Sequence, residues 1–372
     1  MWQSEVRVDL DAVRANVALL RTRTAAQIMA VVKSDGYGHG MVPCARAALE
    51  AGATWLGVAT LGEALAVRAA GITAPMLSWL HAPGLDFAAG ITANVDLSVS
   101  SRRSLDEIVA AATIVDRPAR IHLKIDSGMG RGGAAPADWA ALVEAAAKAQ
   151  ADGHVEIIGV WSHLASADDP DPSSVDRQLA AFTDGLDAAA RLGVTPQLRH
   201  LANSAALLAR PDTHFDLVRP GLAVYGLSPI AGNTFDLRPA MSVRARVALV
   251  KRVPAGQGVS YGQTYVTPRE TTVALIPIGY ADGVPRAASG VGPVALGGRT
   301  HTIAGRVCMD QFVLDVGDLP VQPGDVAVLF GGNAGDPHAD EWAAVCDTIN
   351  HEIVARMGSA RVPRVYEGER GS

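Results

Sequence analysis

Eight short apolar runs, each followed by an amphipathic stretch, constrain the fold of this chain more than any other feature. The runs are Ile28–Val32, Trp55–Val58, Met76–Trp79, Val95–Val99, Arg120–Ile125, Glu156–Trp161, Gln197–Leu201 and Asp216–Val218. Their length suits buried strands, and alanine-rich segments such as Ala140–Gln150 and Val175–Leu192 suit helices. Thr60-Leu61-Gly62-Glu63 has the pattern of a capping box opening one of them. About eight strand–helix units in about 230 residues match a (β/α)8 barrel. An open doubly wound sheet competes, but no G-x-G-x-x-G follows the first strand.

From about Arg238 the period changes. MSVRARVALVKRV alternates apolar and basic residues in steps of two, and TVALIPIGY, PVALGGRTHTIAGRVCMDQFVLDV and DVAVLFG continue as strands between Gly and Pro turns. One late helix is expected near Glu341–Asn350. The fold class is therefore α/β: an N-terminal (β/α)8 TIM-type barrel, residues 1–237, plus a C-terminal β-rich domain, residues 238–372. A chain of 372 residues exceeds one core, and 49% hydrophobic residues fill two.

A net charge of -6 leaves no electrostatic footprint for a nucleic-acid partner. No run approaches the ~18 apolar residues of a membrane span. The first residues carry acids from Glu5 onward and lack the apolar core of a signal peptide. Three cysteines, Cys44, Cys308 and Cys346, have no metal-ligand spacing. That number fits a reducing cytoplasm, and no metal site is expected.

Barrel chemistry sits at the C-terminal ends of the strands. Lys33 follows the first strand in AVVKSDGYGHG. Arg131 follows the fifth in KIDSGMGRGG, and His163 the sixth in SHLASADD. Asn203 and Ser204 follow the seventh, and Arg219, Gly221 and Leu222 the eighth. A strand-end lysine loses its proton easily and can form a Schiff base, although a lone lysine more often snorkels onto a solvated loop. The last two loops are where barrels often hold phosphate, while a helix-capping serine and a turn glycine are the plainer reading. In the second domain three polar turns stand out: GVSYGQTY around Tyr261, GYADGVPR from Tyr280 to Arg286, and GRVCMDQ around Cys308 to Asp310.

Taken together, these motifs resemble the alanine racemase family, the pyridoxal 5'-phosphate (PLP) enzymes of fold-type III. AVVKSDGYGHG is similar to the family's AVVKANAYGHG, and KIDSGMGRGG, SHLASADD, ANSAA, VRPGLAVYGL, VSYGQTY, GYADGVPR and GRVCMDQ follow in family order, from about Val8 to Val365. The resemblance implies interconversion of L- and D-alanine, supplying D-alanine for bacterial peptidoglycan. Lys33 would bind PLP and serve as the base for the D-isomer, and Tyr261 as the base for the L-isomer. Two bases are needed because one base on one face mostly returns the same isomer. His163 and Arg219 would stand behind Tyr261, and Arg219 would also face the pyridine nitrogen.

The same resemblance assigns Arg131 and the Met309 N–H to the substrate carboxylate. It assigns Tyr37, Ser204, Gly221 and Leu222 to the phosphate. Lys124 would carry a carbamate bracing Arg131, and Tyr280, Asp168 and Arg286 would line the entrance, with Asn203, Cys308 and Asp310 in support. His351 departs from the pattern: the family usually has tyrosine there, in INYE, reaching the phosphate, where this chain reads INHE. A phosphate contact from an imidazole titrating near ~6.5 would weaken as pH rises. Tyr261 would act in the site of a second subunit, making a homodimer the catalytic unit. Three alternatives remain: a racemase of another amino acid such as serine, a non-catalytic PLP carrier, which would lack the second domain, and a fold-type III decarboxylase, which would set a carboxylate rather than Arg219 against the ring nitrogen.

Overall fold

The computed structural model describes residues 2–359 and 361–369; residues 1, 360 and 370–372 of the two expected domains lie outside the described residues. The first strand, β1 (Ser4–Asp9), was not visible as a strand in the sequence pattern. The next eight lie within a residue or two of the apolar runs: β2 (Gln27–Val31), β3 (Trp55–Val58), β4 (Met76–Ser78), β5 (Asp96–Val99), β6 (Ala119–Lys124), β7 (Val155–Trp161), β8 (Leu198–His200) and β9 (Leu217–Val218). They form one parallel sheet in the order β8-β7-β6-β5-β4-β3-β2-β9. Its ends meet where Asp216 N–H donates to Arg199 O (3.1 Å) and Arg219 N–H to Ala202 O (2.9 Å), so the barrel is nearly closed.

Period-two alternation sorts each barrel strand into two cores. On β6, Ile121 and Leu123 face outward into the core shared with the helices, where small residues such as Ala146 of the helix Pro136–Ala151 let the layers approach closely. Arg120, His122 and Lys124 alternate with them and face the barrel interior. That interior holds a separate apolar cluster of Met29, Trp55, Leu77, Ile158, Trp161, Leu198 and Leu217. The Thr60 capping box is present: Glu63 N–H donates to Thr60 Oγ1 while Glu63 Oε2 accepts from Thr60 N–H.

The remaining strands are β10 (Met241–Arg246), β11 (Leu249–Val253), β12 (Gly258–Val259), β13 (Tyr265–Val266), β14 (Thr271–Ile276), β15 (Pro293–Leu296), β16 (Arg299–Thr302), β17 (Phe312–Gly317), β18 (Val326–Phe330) and β19 (Arg364–Glu367). They build a six-stranded sheet β16-β15-β18-β10-β1-β19, a three-stranded sheet β11-β14-β17 and the pair β12-β13. Thus β1 leaves the barrel half of the chain and joins the second sheet, between β10 (Val6 opposite Val243) and β19 (Val8 opposite Tyr366). Val6 and Val8 are fully buried there, so burial of β1 is decided by residues more than 230 positions away. The late helix is two, Ala339–Val345 and Asn350–Ala355, broken where Asp347 takes φ +54°. No helix among the described residues is long and apolar enough to cross a membrane.

Candidate active site

A cavity of about 1190 Å³ opens at the C-terminal rim of the barrel strands. Twelve of the residues singled out from the sequence line it: Lys33, Tyr37, Lys124, Arg131, His163, Asp168, Asn203, Ser204, Arg219, Gly221, Leu222 and His351. Lys33 opens the turn after β2. Burial first, then the nearby Arg131 charge, lowers its pKa, against an opposing pull from Glu63. The turn itself is left-handed: Ser34, Asp35 and Tyr37 take φ of +54°, +52° and +54°. Each such L-residue costs about 1–2 kcal/mol.

Arg131 sits on a loop organised by Asp126, whose Oδ1 accepts from the N–H groups of Gly128 (3.0 Å), Met129 (2.9 Å) and Gly130 (3.2 Å). Across the cavity Ser204 Oγ accepts from Gly221 N–H (2.9 Å) and Ala223 N–H (3.4 Å), which leaves its own O–H to donate. A Cβ at Gly221 would lie 2.3 Å from Tyr37 Oη, so only glycine lets the tyrosine hydroxyl and this backbone meet. Asn203 caps the helix Ser204–Ala209 by accepting from Ala206 N–H at 3.1 Å. These groups form the donor-rich end of the cavity.

Arg219 is the best-anchored cation of the site. Its Nη2 donates to Ser162 O (2.7 Å), Leu201 O (3.1 Å) and His163 Nδ1 (3.3 Å), and its Nη1 to His200 Nδ1 (3.2 Å). Arginine has no acceptor, so these contacts dictate the direction of everything behind them. With Nδ1 accepting, His200 must donate through Nε2 to His122 Nδ1 (2.9 Å), and His122 through Nε2 to Asp96 Oδ2 (3.1 Å). Burial opposes the charge of Asp96, but His122 and Arg120 outweigh it and hold the carboxyl below its usual range. Burial pushes Arg219 down to about 9, still cationic at neutral pH. His163, with Nδ1 accepting from Arg219, offers a cavity-side Nε2–H. Burial and then Arg219, Arg131, Lys124 and Lys33 keep it neutral.

Trp161 is the platform between two of these cations. Lys124 Nζ lies 4.4 Å and Arg219 Cζ 4.8 Å from its ring centroid. Burial, Arg219 and Arg131 push Lys124 down to about 8, giving it a sizeable neutral fraction near pH 7.5. His351 lies on the helix Asn350–Ala355 with Nδ1 3.2 Å from Asn350 Oδ1, so Nδ1 donates and Nε2 accepts in the neutral ring. Burial and the Lys33 charge lower its pKa. At neutral pH it therefore offers an acceptor where a phosphate needs a donor, and its titration window moves below the one its unperturbed value gives.

The other six residues stand elsewhere. Tyr261, Tyr280, Arg286, Cys308, Met309 and Asp310 do not line the cavity. Tyr261 is 72% exposed, Met309 52% and Tyr280 41%. They nevertheless form one patch. Tyr280 N–H donates to Cys308 O (3.1 Å) and Ala281 N–H to Met309 O (2.9 Å). Ser260 Oγ donates to Arg306 O (2.7 Å), tying the Tyr261 turn to the same loop. A Cβ at Gly279 would lie 2.4 Å from both Cys308 O and Met309 O. Asp310 pairs with Arg361 at 2.6 Å. Asp168 and Arg286, the expected entrance pair, are not brought together within one chain.

Residues 8–229 match the family model for the alanine racemase N-terminal domain, and residues 240–366 that for the C-terminal domain. The chain is 65% identical over 371 residues, all of both chains, to an alanine racemase of Salinispora arenicola. A solved alanine racemase from D-cycloserine-producing Streptomyces lavendulae superposes with a TM-score of 0.98 at 55% identity, covering 100% of this chain and 98% of that one. The Bacillus anthracis enzyme with bound L-Ala-P gives 0.91 at 38% identity, covering 99% and 95%. The chain belongs to the alanine racemase family.

Alanine racemases are isomerases, and this chain is therefore an enzyme of that class. Several residues of its site were not found from the sequence. His122 and His200 were passed over although they lie inside the runs Arg120–Ile125 and Gln197–Leu201. The signal for His122 was period two, which puts it on the same side of β6 as Lys124. Glu63 was legible only as a helix cap, since Ser34 lies 29 positions away, and Trp161 and Arg364 had no local signal, because what they touch lies far away in the chain.

Proposed function

We propose that this isomerase interconverts L- and D-alanine with two bases, Lys33 from one chain and Tyr261 from a second copy, on PLP held in the barrel cavity. The observation that carries the reading is the split itself: the cofactor-binding set lines one cavity, while Tyr261 and Met309 stand exposed on another face. The residues present fit PLP. Gly221 leaves room for nothing but backbone, Ser204 keeps a free O–H, and Arg219 presents only donors. Lys33 would bind the cofactor, Tyr37, Ser204, Gly221 and Leu222 its phosphate, and Arg219 its ring nitrogen. When bound, PLP supplies an electron sink for the pair left at Cα after proton loss.

Everything else falls to the protein. Arg131, with its planar fork, and the Met309 N–H from the second copy orient the substrate carboxylate. Lys33, its charge disfavoured by burial and Arg131, takes the Cα proton of D-alanine. Tyr261 takes the Cα proton of L-alanine from the opposite face, and the His163 Nε2–H stabilises its phenolate. Arg219 keeps its proton because four acceptors hold it, so it would give none to a ring nitrogen set against it. Lys124, neutral in part at pH 7.5, carries a carbamate that braces Arg131. The enzyme works in the cytoplasm as a homodimer, with domains dividing near residue 237 apart from β1.

The decisive test mixes two inactive variants. Lys33→Ala and Tyr261→Phe chains, refolded together, should regain activity, since each heterodimer holds one complete site. Heterodimers that form and stay inactive sink the shared site. In deuterated water Tyr261→Phe alone should still exchange the Cα proton of D-alanine but not that of L-alanine, with racemisation down at least ~10²-fold.

A further inference from the structure

We propose that Glu63 and Arg364 are positioning residues that clamp the left-handed turn behind Lys33 and so aim its amine. The inference rests on Lys33 being the reacting amine. Ser34, Asp35 and Gly36 have φ, ψ of 54°, 48°, of 52°, 48° and of 64°, 41°, and Tyr37 follows at φ +54°. Three of these four residues carry a Cβ, which disfavours that hand. The hydrogen bonds inside the turn, Gly36 N–H to Val32 O (2.9 Å) and Gly38 N–H to Ser34 O (3.1 Å), join residues four apart. A right-handed turn makes the same connections, so these bonds do not select the hand. Contacts from outside must.

From within the loop, His39 Nδ1 donates to Gly36 O and Tyr37 O, both at 3.0 Å, and two side chains from distant elements add the rest. Glu63 Oε1 accepts from Ser34 N–H at 2.6 Å, while its Oε2 accepts from Ala59 N–H (2.9 Å) and Thr60 N–H (3.0 Å). The capping box thus fixes the carboxylate, and the fixed carboxylate grips the residue after Lys33. At the other end Arg364 Nε donates to Gly38 O at 2.7 Å and its Nη1 pairs with Asp35 Oδ2 at 2.7 Å. Asp35 Oδ1 accepts from Met41 N–H at 2.8 Å, so both of its oxygens are engaged. Arg364 itself lies against Gly358, where a Cβ would come within 2.5 Å of Nε. One grip comes from a barrel helix and the other from β19 in the second sheet. Only a fork reaches both Gly38 O and Asp35 at once, so lysine is a poor substitute.

A reacting group displaced by about 1 Å can lose up to ~10²-fold in rate. In the PLP-loaded enzyme, Arg364→Met should lower kcat by about 10-fold or more, with KM for alanine within about 2-fold. Amide exchange across residues 34–40 should speed at least ~10-fold. Glu63→Ala should do the same at the Ser34 end, and Arg364→Lys should fall between. Adding Ser34→Gly to Arg364→Met should restore at least half of the lost rate on a logarithmic scale, because glycine adopts positive φ without strain. Unchanged exchange at 34–40 overturns the clamp, as does a loss that Ser34→Gly deepens. If Arg364→Met does not fold, Arg364→Lys with and without Ser34→Gly gives the same comparison. Racemisation surviving in Lys33→Ala would instead remove the reading on which the clamp rests.

Discussion

The barrel rim and the Tyr261 face carry chemistry in opposite states of readiness. At the rim, Arg219 has four acceptors, Ser204 is held by two backbone donors, and the lysine turn is gripped from two sides. On the other face, the loops bearing Tyr261, Tyr280 and Met309 are fixed to one another yet project into solvent. The Met309 N–H has no acceptor among the described residues. A fixed loop with exposed side chains is what a surface needs when its target belongs to another molecule. On the proposed reading, one half of the site is finished within the chain, and the other is finished only on contact with a second copy.

The largest effect should come from the finished half. Lys33→Ala should cost ~10⁴-fold in racemisation, at the top of the range for a positioned acid–base group, and release PLP on gel filtration. Retention of both would break the distinction between the halves. Next come two glycines that serve the same steric purpose on opposite sides. Gly221→Ala, blocked by Tyr37 Oη, should weaken PLP binding at least ~10-fold. Gly279→Ala, blocked by Cys308 O and Met309 O, should leave PLP affinity intact and raise KM for alanine. The two variants trading phenotypes would show that the halves are misassigned.

A smaller effect follows from His39, held neutral by burial with its pKa pushed down to about 4. The unfolded chain protonates this imidazole near ~6.5, so between there and about pH 4 it binds more protons than the fold does. Stability should therefore drop as pH falls through that window, by about 1.4 kcal/mol per pH unit for this group. Urea midpoints at pH 7 and pH 5 measure it, and a flat profile would contradict the neutral assignment. The smallest effect belongs to His351. PLP affinity at pH 7.5 should rise by up to ~3-fold in His351→Tyr, since a phenol can donate to a phosphate whereas the neutral ring donates to Asn350. An unchanged or lower affinity would mean that no donor is missing there.

The barrel strands were legible because each is a buried run whose composition betrays it, and the rim residues because strand ends in a barrel are ordered along the chain. β1 was not legible. Its six residues become a strand only between β10 and β19, and a helix starts at once at Leu10. His122, His200 and Asp96 needed the barrel to close before they could meet. The clamp is the extreme case, with Arg364 and Gly38 separated by 326 positions. Tyr261 was legible only through resemblance, since a tyrosine in an exposed turn announces no chemistry.

The insertion of β1 between β10 and β19 has a consequence for synthesis. A ribosome delivers the barrel before either neighbour of β1 exists, so the first strand must wait, unpaired, through the making of some 230 residues. An emerging strand with open edges is a template for misassociation. Here its alternating charges, Glu5, Arg7 and Asp9, guard it in the interval. When β19 finally docks, it brings Arg364 to the lysine turn in the same event. On the proposed clamp, closure of the sheet and alignment of the Lys33 amine are then a single late step, and full activity waits for it.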